Sequence, residues 1–437
     1  MLIVYQLANL IVFVALYRKL LFSRNLIHVA SFHFLYYFVF YYFGAATLYA
    51  EGGFKNSSYY FSVTLYPLLS VLGMYVAKLV YTRKQYRLVV NHSNFKYLYL
   101  FVIVISLLYA ISLAELPVSY VLRGDAAGAA VARTIATKEY GGTKVLYYTF
   151  RVIVDYFLIY ILIYLYIRKN KITPFFIVSL AGALLIALFD FQKYPAINIL
   201  VMLFIAIFLY NKAMRVANIS LGTLISYKVV LIFVSSYFVL GALWAAASGR
   251  LTNRNEYGVI GAVVESANAM VSDRLIYGEN RPLYQVYEIV PARYDYFWGK
   301  TFPNPLRILP FEPVPFSYIV YDAVHPLGEG IEGVRGAAPT AFFSIIYANF
   351  GIVVSFASMF LFGFVVQLVN DKLLYTNKYI IPYRFVILNY VTLFATSIDI
   401  FFLSEKVILI GLVYLVMYHE YRAYGAKRLV AEECSMV

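Results

Sequence analysis

The sequence predicts an all-α, polytopic membrane protein of about eleven transmembrane helices, with a large external loop that carries short helices. Three observations predict it. Hydrophobic residues make up 62% of the 437-residue chain and charged residues only 13%, about half the charge of a soluble domain. Apolar runs close to the length of a membrane-crossing helix recur from end to end, giving a mean hydropathy of +0.74. The basic residues gather in every second connection between those runs, the pattern that orients helices in a bilayer.

The spans are expected at 2–17, 27–49, 58–79, 97–118, 146–167, 173–189, 195–210, 222–247, 341–369, 381–402 and 406–419. The first opens the chain with no Lys or Arg before it and no small-residue cleavage site, so it reads as a span and not a signal peptide. Arg18, Lys19 and Arg24 follow it; Arg83, Lys84, Arg87 and Lys96 follow the third; Arg168, Lys169 and Lys171 the fifth. Lys212 and Arg215 follow the seventh, Lys372, Lys378 and Arg384 the ninth, and Arg422, Lys427 and Arg428 the last. The intervening short connections hold only Lys55, Lys193 and Lys406. This alternation places the N-terminus outside and the C-terminus in the cytoplasm. The pair of runs around DFQKYP reads either as two tightly linked spans or as one span and a re-entrant segment.

Three regions result: an N-terminal bundle of about eight spans over 1–247 with an external segment at 119–145, an external cap over 248–340, and C-terminal spans with a cytoplasmic tail over 341–437. The cap carries eight Arg or Lys against ten Asp or Glu. A structureless loop of that length is uncommon, so a small folded unit with amphipathic helices near the outer membrane surface is expected. The net charge of +14 serves to orient spans, and nucleic acid is not an expected partner. The single cysteine, Cys434, excludes a disulfide framework. No cluster of His, Cys, Asp or Glu has metal-ligand spacing, so neither metal nor cofactor is expected. There is no GxGxxG fingerprint, no Walker loop and no G-x-S-x-G elbow.

External arginines run against the positive-inside bias and so ask for a reason. Arg123 and Arg133 lie in the first external segment, Arg151 just inside the fifth span, and Arg274, Arg281, Arg293, Arg307 and Arg335 in the cap. Guanidinium groups grip phosphate through a planar fork, so such a set suits a lipid pyrophosphate. Pairing with neighbouring acids, as in Asp273–Arg274 or Glu279–Arg281, is the plainer role. His325 is the only histidine in the two external segments, and Glu329 and Glu332 follow it. A base for a sugar hydroxyl can be drawn from these three. Tyr284, Tyr287, Tyr294 and Tyr296 are aromatic groups able to stack on sugar rings.

The segment GAAPTAFFSIIYANFGIVV, residues 336–354, closes the cap and opens a span. Together with Gly299, Thr301, Phe302, Leu306 and Pro310 upstream, its Pro339, Thr340, Tyr347, Asn349, Phe350 and Gly351 resemble the motif blocks of the oligosaccharide repeat-unit polymerases, the O-antigen polymerase (Wzy-type) family. The loop with Arg123 and Arg133 resembles that family's earlier arginine-bearing loop. The chain departs from the pattern at Ser344, where the family often has an acid, and in having its next glycine only at Gly363.

The resemblance implies a membrane glycosyltransferase of the C type (GT-C-like), multi-pass in the bacterial inner membrane, working outside it without metal or nucleotide sugar. It implies donor and acceptor repeat units on undecaprenyl pyrophosphate, and a flippase and a chain-length regulator as further partners. On that reading Arg123, Arg133, Arg151, Arg274, Arg281 and Arg335 hold pyrophosphate. His325, Glu329 or Glu332 takes the proton, and Tyr294, Tyr296, Tyr347 and Asn349 position glycan or loop. Asn349 is equally suited to helix capping or packing, and Gly351 to close helix approach. A glycan ligase, or a polysaccharide flippase or other transporter, shares several of these features.

Overall fold

The structure is a computed structural model. It describes residues 2–21, 41–42, 44–54, 56–80, 95–113, 116–122, 153–189, 258–271, 277–302, 310–325 and 340–373, with scattered positions elsewhere. Among the described residues every regular element is helical and there is no strand. In chain order these are α1 (Leu2–Leu21), α2 (Gly44–Ala50), α3 (Ser57–Val80), α4 (Phe95–Ser112) and α5 (Pro117–Leu122). A π-helical turn (Ile153–Phe157) leads into α6 (Leu158–Lys169), followed by α7 (Pro174–Ala187). The region expected to form the cap contributes α8 (Gly258–Val271), α9 (Glu279–Ile289) and α10 (Phe316–Val324), and α11 (Phe342–Leu373) comes last.

Two helical runs among the described residues are long and apolar enough, by length and composition, to cross a membrane, Ser58–Val80 and Phe342–Leu368, the second interrupted at Gly351. Tyr99–Ile111 and Pro174–Ala187 are shorter apolar helices. Local chemistry sets some ends. Thr173 caps α7 by accepting from the Phe176 N–H at 3.1 Å, with Pro174 at the first helical position, where its missing donor costs nothing. Asn170 ends α6 in the left-handed region at φ 51°. The span expected at 222–247 and those expected at 381–402 and 406–419 lie outside the described helices.

The helix α11 is not one straight rod. At Gly351 the backbone takes φ 81°, ψ −176°, a conformation open essentially only to glycine. The chain folds back there. The Ser355 hydroxyl donates to the Phe343 carbonyl at 2.5 Å, and the rings of Phe342 and Phe362 sit 5.5 Å apart. In a straight helix those pairs would be separated by about 18 Å and about 30 Å. The run expected as a single span at 341–369 is therefore a short buried limb, 342–350, laid back along a long limb, 352–373. Gly351 makes the reversal rather than a close helix approach.

Close approach belongs to other glycines. A Cβ at Gly73 would overlap the Phe360 carbonyl, and one at Gly363 would overlap the Ser70 carbonyl. The backbones of α3 and the long limb thus touch, the small-residue packing typical of helix pairs in lipid. The two run parallel: Tyr66 meets Ser355 and Phe356, and further along Gly73 meets Phe360 and Phe364.

Around this pair lies the larger core, from Phe13, Tyr41, Tyr60 and Tyr66 to Leu283, Val286, Phe316, Val320 and Phe343. It includes α9 and α10, so these helices are keyed into the bundle instead of lying flat on it. The α9 hydroxyl of Tyr287 meets that of Tyr66 at 2.5 Å, and Ser355 donates to Tyr66 at 2.9 Å. A second core joins α4, Phe150, the π-helical turn with α6, α7, and Ile199, Met202, Leu203 and Ala206.

Candidate functional site

The site is built where the end of the short limb meets the stretch that follows α9. A helix leaves its last carbonyls without intrahelical donors. Those of the short limb are met from outside: the Phe297 N–H donates to the Ala348 carbonyl at 3.1 Å and the Trp298 N–H to the Asn349 carbonyl at 3.2 Å. The Asn349 side chain, wholly buried, completes the junction. Its Oδ1 accepts from the Gly299 N–H at 2.8 Å, and its Nδ2 donates to Thr301 Oγ1 at 2.5 Å and to the Ile345 carbonyl at 2.8 Å. Both ends of one amide are thus used to hold one turn.

That turn runs from Phe297 to Lys300, closed by the Lys300 N–H donating to the Phe297 carbonyl at 3.0 Å. Both central residues have positive φ, Trp298 at 53° and Gly299 at 88°, the type I′ pattern. A second turn follows, with the Phe302 N–H on the Gly299 carbonyl at 3.0 Å. The Val314 N–H donates to the Lys300 carbonyl at 2.7 Å, bringing in the segment that enters α10. The blocks around 299–302 and 349–351, far apart in sequence, are one hydrogen-bonded unit.

The tyrosines are brought together beside it. Tyr347 is buried; its hydroxyl donates to the Val290 carbonyl at 3.0 Å, and its ring lies 4.2 Å from Tyr287 and 6.2 Å, edge-on, from Tyr296. It therefore holds the end of α9 and does not reach outward. Tyr296 covers Gly351: its hydroxyl would lie 3.5 Å from a Cβ there. Tyr294 is half-buried and stacks toward Phe297 at 6.2 Å. Burial, reinforced by neighbouring Tyr66, pushes the Tyr287 hydroxyl well above its usual value and keeps it protonated. Ser344, at the position of the family's acid, is buried and donates to the Ala341 carbonyl at 2.7 Å.

Of the expected pyrophosphate ligands, Arg281 is described. It is exposed in the first turn of α9, and its guanidinium lies over the Tyr277 ring, 4.4 Å from the centroid. Tyr277 in turn donates to Glu51 Oε2 at 2.7 Å, tying this corner to the loop after α2. Arg293 lies 5.5 Å from the Tyr294 ring. Arg123, Arg133, Arg151, Arg274, Arg307 and Arg335 lie outside the described residues, as do Glu329 and Glu332. His325 caps the C-terminal end of α10, its N–H on the Tyr321 carbonyl at 2.9 Å and its ring 4.7 Å from that of Tyr321; it is half-exposed. Among the described residues, no group of three or more His, Cys, Asp or Glu is placed to hold a metal.

One ionisable residue escaped the sequence reading. Asp155 is 3% exposed, inside the π-helical turn and among apolar neighbours of the second core. Buried acids in apolar spans and π-turns both tend to mark functional positions. The signal was available as the one acid within the run 146–167.

Set against known proteins, the chain matches no family model, no curated protein and no solved structure.

Proposed function

We propose that the protein polymerises oligosaccharide repeat units carried on undecaprenyl pyrophosphate at the outer face of a bacterial inner membrane. The observation that carries this reading is the junction at Asn349. Gly299 and Thr301 from one block of the resemblance and Asn349 from the other meet in one hydrogen-bonded unit.

In this reading a hydroxyl of the incoming lipid-linked unit attacks the anomeric carbon of the growing chain. The bond from that carbon to the pyrophosphate oxygen breaks, and undecaprenyl pyrophosphate departs with the electron pair. Arginines neutralise the negative charge that grows on the departing oxygen, and so lower the barrier where charge changes most. Arg281, exposed and braced on Tyr277, is one; Arg123, Arg133, Arg151, Arg274 and Arg335 are the others. His325, Glu329 or Glu332 takes the hydroxyl proton. The cap region 248–340 faces outward between the bundle 1–247 and the spans of 341–437, with the N-terminus outside and the C-terminus in the cytoplasm. The parallel run of α3 and the long limb supports that topology, because the spans expected at 58–79 and 341–369 must then cross in the same direction.

The test is reconstitution in proteoliposomes with purified lipid-linked repeat units, reading chain length on a gel. A ladder of products is expected, and alanine at each of the six arginines shortens it more than lysine does. A protein that only moves lipid-linked units across the bilayer, or adds one finished glycan to another acceptor, gives no ladder and ends the proposal. Wild-type ladders from all six alanine variants would end the arginine assignment alone. In the same vesicles, a Cys434→Ser variant with a cysteine at Ser272 should react with an impermeant thiol reagent from the outer face; reaction only from the cytoplasmic face refutes the topology.

A further inference from the structure

Trp298 occupies the first central position of a type I′ turn, where φ must be positive. Asn, Asp and Gly normally take that position, and a bulky side chain there is strained. The strain is held in place by the buried Asn349, whose carbonyl, amide oxygen and amide nitrogen act on Trp298, Gly299 and Thr301 in turn. Yet the indole contributes little to the core: it is 72% exposed, touching Phe350 edge-on at 6.4 Å. A large apolar surface is thus strained, fixed and presented to the outside. Strain of this kind persists where the surroundings over-determine it, and it collects at ligand sites.

The surroundings say what would cover it. Arg293 and Asp295, just before the turn, Lys300 at its end, and Glu312, two residues before the Val314 that bonds to it, are all exposed. An exposed indole in a stretch that carries both donors and acceptors suits a sugar, whose C–H face packs on an aromatic ring while its hydroxyls seek polar partners of either kind. Lipid acyl chains would want the ring without the charges.

We infer that Trp298 is the stacking platform of a glycan-binding subsite, taking a pyranose ring of the oligosaccharide beside the Asn349 junction. The inference deepens the glycan-transfer reading and rests on it for the class of ligand. Trp298 is a positioning residue: it holds the sugar and takes no part in bond exchange.

The chain has two tryptophans, so Trp244→Phe leaves Trp298 as the sole reporter. The experiment uses the full-length Trp244→Phe protein in lipid nanodiscs. The probe is the set of soluble oligosaccharides released by mild acid from the surface polysaccharide of the producing cell. Dose-dependent change in Trp298 emission is expected, with no quenching by brominated phosphatidylcholine in the disc. By calorimetry, Trp298→Asn should bind the same probe roughly three- to tenfold more weakly, while its Tm rises because asparagine suits the turn. Unchanged emission with unchanged calorimetric binding in Trp298→Asn overturns the inference, and quenching by the brominated lipid makes the residue a membrane anchor instead. A lower Tm in Trp298→Asn refutes the strain argument. Normal product ladders without an emission change would remove the platform and leave the polymerase reading standing. An emission change without ladders would do the reverse.

Discussion

Replacing Asn349 by alanine should unfasten the turn at 297–302. Three side-chain hydrogen bonds disappear, and their costs differ. The Gly299 N–H is buried and loses its acceptor, which costs about 1–3 kcal/mol for an orphaned donor. The bond to Thr301 adds about 0.5–1.5 kcal/mol. The bond to Ile345 stays within the limb and matters least, because it fastens the limb only to itself. The sum is about 1.5–4.5 kcal/mol, which in a chain of this size lowers Tm by roughly 2–5 °C. Asn349→Asp should do no better: it keeps an acceptor for Gly299 but sets a buried carboxylate oxygen against the Ile345 carbonyl. Thermal unfolding of the detergent-solubilised protein gives the global number. Trypsin gives the local one, because Lys300 is exposed in the turn and should be cut faster once the clamp is gone. In a double-mutant cycle Asn349→Ala and Thr301→Val should couple by at least about 0.5 kcal/mol. Wild-type Tm together with wild-type resistance at Lys300 in Asn349→Ala would refute the clamp.

Two further outcomes follow from the packing and the proposed chemistry. Gly363→Val should force α3 and the long limb apart at the cost of about 1–3 kcal/mol or more, seen as loss of a monodisperse peak in size exclusion; Gly182→Ala, where a Cβ meets nothing within 4 Å, should be neutral or slightly stabilising by helix propensity. If His325 is the base, His325→Ala and His325→Gln should lower the polymerisation rate about 10²–10⁴-fold; an unchanged rate in both variants passes the role to Glu329 or Glu332.

Hydropathy alone was enough to expect an α3 near 58–79 and an α7 near 173–189, since both are long apolar runs with clear ends. The same measure hid the reversal at Gly351. Mean hydropathy is high on both sides of that glycine, and a sliding average does not register a change of direction. Nothing nearby distinguishes Gly351 from Gly363, although one turns the chain and the other lets a neighbouring backbone close in. Asn349 was legible as a residue that matters but not as a clamp, because its partners Gly299 and Thr301 lie across tertiary space. Asp155 was overlooked because one acid barely moves the average of a long apolar run. The arginines expected outside were picked out as a set by the charge pattern alone, and of those assigned to pyrophosphate only Arg281 falls on a described position.

The fold-back at Gly351 bears on how the chain is made. The ribosome finishes the 297–302 turn well before it reaches Asn349, so the turn must wait for its partner. Asn349 ends a limb of only nine residues, about 13 Å long, too short to carry it through a bilayer. The short limb therefore cannot separate Asn349 from the face that holds the turn, and any crossing falls to the long limb after Gly351. The junction fastens a late-made part of the protein onto a part already made, and it does so without asking the chain between them to cross anything.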